Sequence, residues 1–77
     1  MIKVLLFAHL QEKAGQESLE IDRSPMTVEE LKDLVGTKYE LGTLNHVMVA
    51  VNEEYALDDD IIHSGDVVAL IPPVSGG

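Results

Sequence analysis

The spacing of hydrophobic positions changes along the chain, and each change marks an element. Ile2-Lys3-Val4-Leu5-Leu6-Phe7 is apolar with a period of two, the spacing of a strand. Ile2, Val4 and Leu6 fall on one face, and Lys3, Leu5 and Phe7 on the other, which the lysine marks as the wetter side. His9 to Ala14 fits one or two helical turns, ended by Gly15 as a C-cap. Leu19 and Ile21 straddle Glu20 as a short second strand, and Ser24-Pro25 breaks it. The period then lengthens. Val28, Leu31, Leu34 and Val35 form one helical stripe, with Glu29, Glu30, Lys32 and Asp33 on the solvent side.

The start of that helix has a chemical signature. Thr27 with Glu30 three residues later is a capping box, and Met26 and Leu31 occupy the two positions of a hydrophobic staple. Ser24, with Pro25 at the first helical position, is a rival start, and Gly36 is the expected stop. Residues 38 to 46 read as irregular. Val47 to Val51 is a third strand, Asn52-Glu53-Glu54 a turn, Tyr55 to Leu57 a short strand, and Ser64-Gly65-Asp66 a turn into the last strand, Val67 to Ile71. Pro72-Pro73 ends that strand, because proline has no N–H to give to a ladder. Val74-Ser75-Gly76-Gly77 follows, and fully extended the stretch from Pro72 would span roughly 20 Å.

The order β, β, α, β, short β, β predicts an α+β domain in which one main helix covers one face of a mixed sheet of four to five strands. The first and last strands are the most apolar, which places them at the sheet centre. If they run parallel, the helix lies in the crossover between them. This is a β-grasp arrangement like that of ubiquitin, with residues 1–71 as the domain and 72–77 as an extended tail. Parity then sends Val68 and Leu70 toward the helix and Ile71 to the outer face with Phe7, where Tyr55 joins them. Large apolar residues beside an emerging tail predict a partner-binding patch.

Composition narrows the chemistry. The chain has 77 residues, 14 acids against five bases, a formal charge of −9 and no cysteine. Nucleic acid and anionic membranes are poor partners for such a charge, whereas a basic protein surface is a good one. No run approaches a membrane span, and no signal peptide is legible, which predicts a cytoplasmic protein. His9, His46 and His63 lack metal-ligand spacing. Asp58-Asp59-Asp60 lacks the register and the closing glutamate of a calcium loop, so no metal is expected. There is no thiol and no glycine-rich phosphate loop.

Ile2 to Ala8 followed by Leu10, Glu12 and Gly15, then Thr27 to Leu31, Val49 to Asn52, and the run from Gly65 through Pro72-Pro73-Val74-Ser75-Gly76-Gly77 together resemble the small subunit of molybdopterin synthase over nearly the whole chain. Gln11 stands where that family usually has arginine, and Leu70 where an aromatic is common. The resemblance implies a non-catalytic sulfur carrier. A ubiquitin-activating-like adenylyltransferase would use ATP to adenylate the Gly77 carboxylate, and a sulfurtransferase would supply sulfur for a thiocarboxylate. The large subunit, in a heterotetramer, would then pass that sulfur to cyclic pyranopterin monophosphate to build molybdopterin. Absent side chains at Gly76 and Gly77 would let the backbone enter a narrow tunnel. Other readings of the same features are a thiamine-pathway sulfur carrier, a ubiquitin-like protein modifier and a plain binding module.

Overall fold

A computed structural model describes residues 1–73. Five strands form one sheet: β1 (Ile2–Leu6), β2 (Ser18–Ile21), β4 (Met48–Val51), β5 (Glu54–Ala56) and β7 (Val67–Ile71), in the order β2-β1-β7-β4-β5. The first and last strands are central and parallel, with Val4 opposite Val68 and Leu6 opposite Leu70. The other pairs are antiparallel. The second helix, α2 (Val28–Lys38), lies in the crossover. Its buried residues Val28, Leu31 and Val35 join the inner-face side chains Ile2, Val4, Leu6, Val49, Val68 and Leu70 in one core. Each fully buried aliphatic side chain contributes about 1.5–3 kcal/mol of transfer free energy, so the crossover helix is what closes the sheet's inner face.

Local chemistry explains the ends of α2. Thr27 Oγ1 accepts from the Glu30 N–H, and the Glu30 carboxylate accepts from the Thr27 N–H. The capping box selects the Thr27 start over the Ser24-Pro25 alternative. These bonds also lower the Glu30 pKa, chiefly through the Thr27 backbone N–H. Met26 and Leu31 are buried as the staple requires. Two further first-turn donors are satisfied from afar: the Val28 N–H donates to the Asp60 carbonyl and the Glu29 N–H to the Asp58 carbonyl. The acidic turn thus caps the helix with its backbone while its side chains remain exposed. It leads into β6 (Ile61–Ile62), which pairs with β3 (Met26–Thr27) as a separate two-stranded ladder, an addition to the expected order.

Three expectations about α2 fail for identifiable reasons. Gly36 does not stop the helix, which runs on to Lys38. The stop is a Schellman motif: Leu41 N–H donates to the Gly36 carbonyl and Glu40 N–H to the Thr37 carbonyl, with Glu40 left-handed at φ 56°. Gly36 is needed for close approach instead, since a Cβ there would lie 2.5 Å from the Gly42 carbonyl oxygen. Lys32 is not on the solvent side. Its side chain is 8% exposed, and its ammonium lies 2.9 Å from Asp58. The loop after β5 covers that flank of the helix, which periodicity alone cannot reveal. Leu34, expected in the stripe, is only half-buried. The irregular segment after α2 is also part of the core, since Leu41, Leu44 and Val47 are all buried.

The first helix, α1 (Ala8–Ala14), matches the expected turns. Leu10 is buried, and Gly15 adopts the left-handed C-cap at φ 76° with its N–H on the Gln11 carbonyl. β1 stops at Leu6, so Phe7 is the N-cap of α1 rather than a strand residue.

Candidate functional site

The helices leave one face of the sheet uncovered, and register determines what it presents. Leu5 lies opposite Ala69, Ala69 opposite Ala50, and Ala50 opposite Tyr55, so these four form one row across β1, β7, β4 and β5. Directly paired residues point to the same face. A second row contains Met48 opposite Ile71. Leu57 follows β5 on the Met48 side, since Ala56 pairs with Val49. The result is a band with large residues at its margins and two alanines in the middle. Tyr55 is 71% exposed, Leu57 72% and Met48 51%, whereas Ala50 is buried and Ala69 and Ile71 are half-buried. Phe7, 45% exposed, follows Leu6 just as Ile71 follows the paired Leu70. Phe7 and Ile71 therefore mark the same end of two neighbouring strands.

Parity predicts Phe7 and Ile71 for this face, with Tyr55 joining them, and the register brings Tyr55 and Ile71 onto it with Phe7 at its border. Met48 and Leu57 are not among the expected residues. The signal for Met48 was present, because alternate positions in Val47 to Val51 must face opposite sides. Reading the run as a third strand without assigning its faces leaves Met48 out. The sequence places Leu57 in a strand, but it is the first residue beyond β5, where its N–H donates to Asp60 Oδ2.

β7 delivers the chain to this end of the sheet. Its inner residues Val68 and Leu70 are fully buried, so the departure of Leu70 from an aromatic falls in the core. Pro72 is buried and Pro73 exposed. The remaining expected tail residues, Val74, Ser75, Gly76 and Gly77, lie outside the described residues. Gln11 lines a shallow groove with Leu5, Phe7 and Glu17, next to the apolar band. At the opposite end of β7, Asn52 and Asp66 hold the strand's start. Asn52 Oδ1 accepts from the Val67 N–H, while Asn52 Nδ2 donates to Asp66. Asp66 also accepts from the His63 N–H. That backbone bond first, and the Asn52 amide second, hold the Asp66 pKa below its ordinary value.

Charge is divided as well. From residue 39 onward there is no lysine or arginine, while Glu40, Glu53, Glu54, Asp58, Asp59, Asp60 and Asp66 are all acidic. The β4–β5 side of the face therefore has an acidic rim. No helix among the described residues is long and apolar enough to cross a membrane.

These features define a class: a ubiquitin-like β-grasp domain with an open apolar sheet face at the end where its last strand exits. The chain belongs to the ThiS family, which it matches over residues 4–77. A relative from Anopheles gambiae, molybdopterin synthase sulfur carrier subunit, is 37% identical over 99% of this chain and 91% of its own length. Among solved structures, SAMP1 from Haloferax volcanii, a small archaeal modifier protein, is 30% identical with a TM-score of 0.83, covering 99% of this chain and 98% of its own. The small chain in a complex of subunits 1 and 2 of the molybdopterin-converting factor from Helicobacter pylori is 26% identical with a TM-score of 0.69, covering 99% of this chain and 97% of its own.

Proposed function

We propose that this chain is the sulfur carrier of a molybdopterin synthase, loaded at Gly77 and docked on the large subunit through its open sheet face. One observation carries the reading. In a chain matched end to end by molybdopterin synthase sulfur carrier subunits, the central strand β7 leads into Pro72-Pro73-Val74-Ser75-Gly76-Gly77 at the end of the sheet bordered by Phe7 and Ile71. The subunit 1 and 2 complex from Helicobacter pylori supports a large-subunit partner.

The chemistry follows from what the chain lacks. A carboxylate is a poor electrophile, and there is no cysteine to carry sulfur instead. An adenylyltransferase joins the Gly77 carboxylate to the AMP portion of ATP and releases pyrophosphate. The resulting mixed anhydride has a good leaving group. The outer sulfur of a sulfurtransferase persulfide attacks the acyl carbon and expels AMP, and a second thiol then cleaves the acyl disulfide, forming a disulfide with the sulfurtransferase and releasing the thiocarboxylate, so that one carboxylate oxygen is exchanged for sulfur. The thiocarboxylate then donates that sulfur to cyclic pyranopterin monophosphate within the large subunit, in the cytoplasm. The two alanines at the centre of the band present little side-chain bulk to a partner, with Tyr55, Met48, Ile71 and Phe7 around them.

The test is intact-mass measurement after incubation with the activating enzyme, ATP and a sulfur source. The expected gain is the mass difference between sulfur and oxygen, localised to the C-terminal peptide. Deleting Gly76-Gly77 should abolish that gain and leave thermal stability unchanged. A truncated chain that still supports molybdopterin formation would refute the reading. A second reading, a protein modifier, is favoured by the fold match to a small archaeal modifier protein. It predicts conjugates of this chain on lysines of other proteins in place of a thiocarboxylate.

A further inference from the structure

The outermost strand of the sheet has a second surface that the carrier reading does not use. β5 pairs with β4 on one side only, and no strand among the described residues pairs with its far edge. An open edge is a template for another strand. Here two grooves adjoin it, one toward each end of the strand. One is lined by Met48, Tyr55, Leu57 and Asp58, the other by Glu54, Tyr55, Asp60 and Ile61. Ala56 lines both. A strand laid along β5 would send successive side chains to alternate faces, one set beside the exposed Tyr55 and Leu57 and the other on the Glu54 side. Apolar surface is available in both grooves: Leu57 and Tyr55 are largely exposed, and Ile61 is 50% exposed.

We infer that the β5 edge is a docking site for an extended, basic segment of a partner protein, which adds as a strand with its apolar side chains on the Tyr55 and Leu57 side and its lysines or arginines on the side of Glu54 and the acidic rim. Charge selects this occupant. Glu53, Glu54, Asp58, Asp59 and Asp60 all surround the edge and are exposed. The one nearby cation, Lys32, is already paired with Asp58. A second copy of this chain would bring the same five acids and the same charge of −9 to the contact, and like charges across a strand pair are destabilising. The acids that keep two copies apart therefore attract a cationic strand. In such a mode main-chain hydrogen bonds supply affinity and the flanking grooves supply selectivity. The site adjoins the outer-face band at Met48, Tyr55 and Leu57 but does not involve Gly77 or Ile71, so its failure would leave the sulfur-carrier reading intact.

The test uses the full isotope-labelled chain and a capped synthetic peptide, Lys-Val-Lys-Val-Lys-Val, at physiological ionic strength. The expected result is saturable amide shifts confined to residues 53–61, with slowed hydrogen exchange at β5. Methylating the backbone nitrogens that face β5 removes ladder hydrogen bonds without changing charge. It should weaken binding by about tenfold, as expected for the loss of one or two such bonds. The double variant Glu54→Lys/Asp59→Lys, whose side chains make no hydrogen bond among the described residues, should weaken binding by a comparable factor. Equal binding of the methylated peptide would overturn the proposal, since charge alone would then suffice. So would the absence of saturable shifts, or shifts centred on Phe7 and Ile71. Concentration-dependent broadening at residues 53–61 without peptide would overturn the choice of occupant in favour of a second copy.

Discussion

The Lys32–Asp58 pair makes an unequal prediction about its two members. The ammonium is buried and the carboxylate is not: their side chains are 8% and 62% exposed, at 2.9 Å separation. Removing Asp58 leaves a buried cation without its partner, whereas removing Lys32 returns a carboxylate to water. An unsatisfied buried charged group costs about 1–3 kcal/mol or more. Water reaches the vacated carboxylate site, so Asp58→Ala should fall near the lower part of that range, about 1–2 kcal/mol. Asp58 also stands at the N-terminus of α2, where losing a negative charge costs a further ~0.3–1 kcal/mol. Lys32→Met keeps the packed aliphatic stem and gives up a pair whose attraction was largely offset by desolvation, so it should change stability by less than about 0.5 kcal/mol. The double variant is decisive. Adding Lys32→Met to Asp58→Ala should restore most of the lost stability, leaving only the helix-end contribution. For a domain of this size, Asp58→Ala should lower Tm by roughly 5–15 °C. Urea and thermal unfolding of the four proteins give the complete cycle. If Lys32→Met costs as much as Asp58→Ala, or the double variant shows no recovery, the buried ammonium is not what makes Asp58 necessary.

Other outcomes follow from single features. Gly36→Ala gains about 1 kcal/mol of helix propensity but forces the Gly42 carbonyl away from a 2.5 Å contact, so unfolding should show a net loss of about 1–3 kcal/mol. Glu40→Gly removes the penalty of a left-handed side-chain residue in the Schellman motif and should stabilise by roughly 0.5–1 kcal/mol in the same assay. Asp66 and Glu30 have folded pKa values below their unfolded ones. Their contribution is full above the unfolded values and is lost as pH falls through the folded ones, so Tm should begin to drop below about pH 4, and Asp66→Asn should flatten that drop. Met48→Ala and Phe7→Ala should each weaken large-subunit binding by about 1–3 kcal/mol without unfolding the domain; unchanged affinity in calorimetry would remove that face from the docking account.

Most of the architecture was legible because it is written in local periods. The two-residue alternation of Ile2 to Leu6 and of Val67 to Ile71, the Thr27–Glu30 box and the left-handed Gly15 each depend on neighbours within a few positions. Parity within strands was enough to bring Ile71 to the outer face. The tail residues Val74 to Gly77 and the absence of cysteine are legible in the sequence, and the resemblance that the tail helps to carry is what directs the proposed chemistry toward Gly77.

What sequence could not decide depends on residues far apart meeting in space. Gly36 resembles a helix stop until the Gly42 carbonyl is found against it. Lys32 resembles a solvated lysine until the loop after β5 brings Asp58 onto it. Asp58 and Asp60 read as a solvated acidic turn, yet their carbonyls cap a helix some thirty positions earlier in the chain. Met48 and Leu57 become part of one apolar band only when β4 lies between β7 and β5. Periodicity assigns a residue to a face of its own element, but only the packing of one element on another determines whether that face meets protein or water.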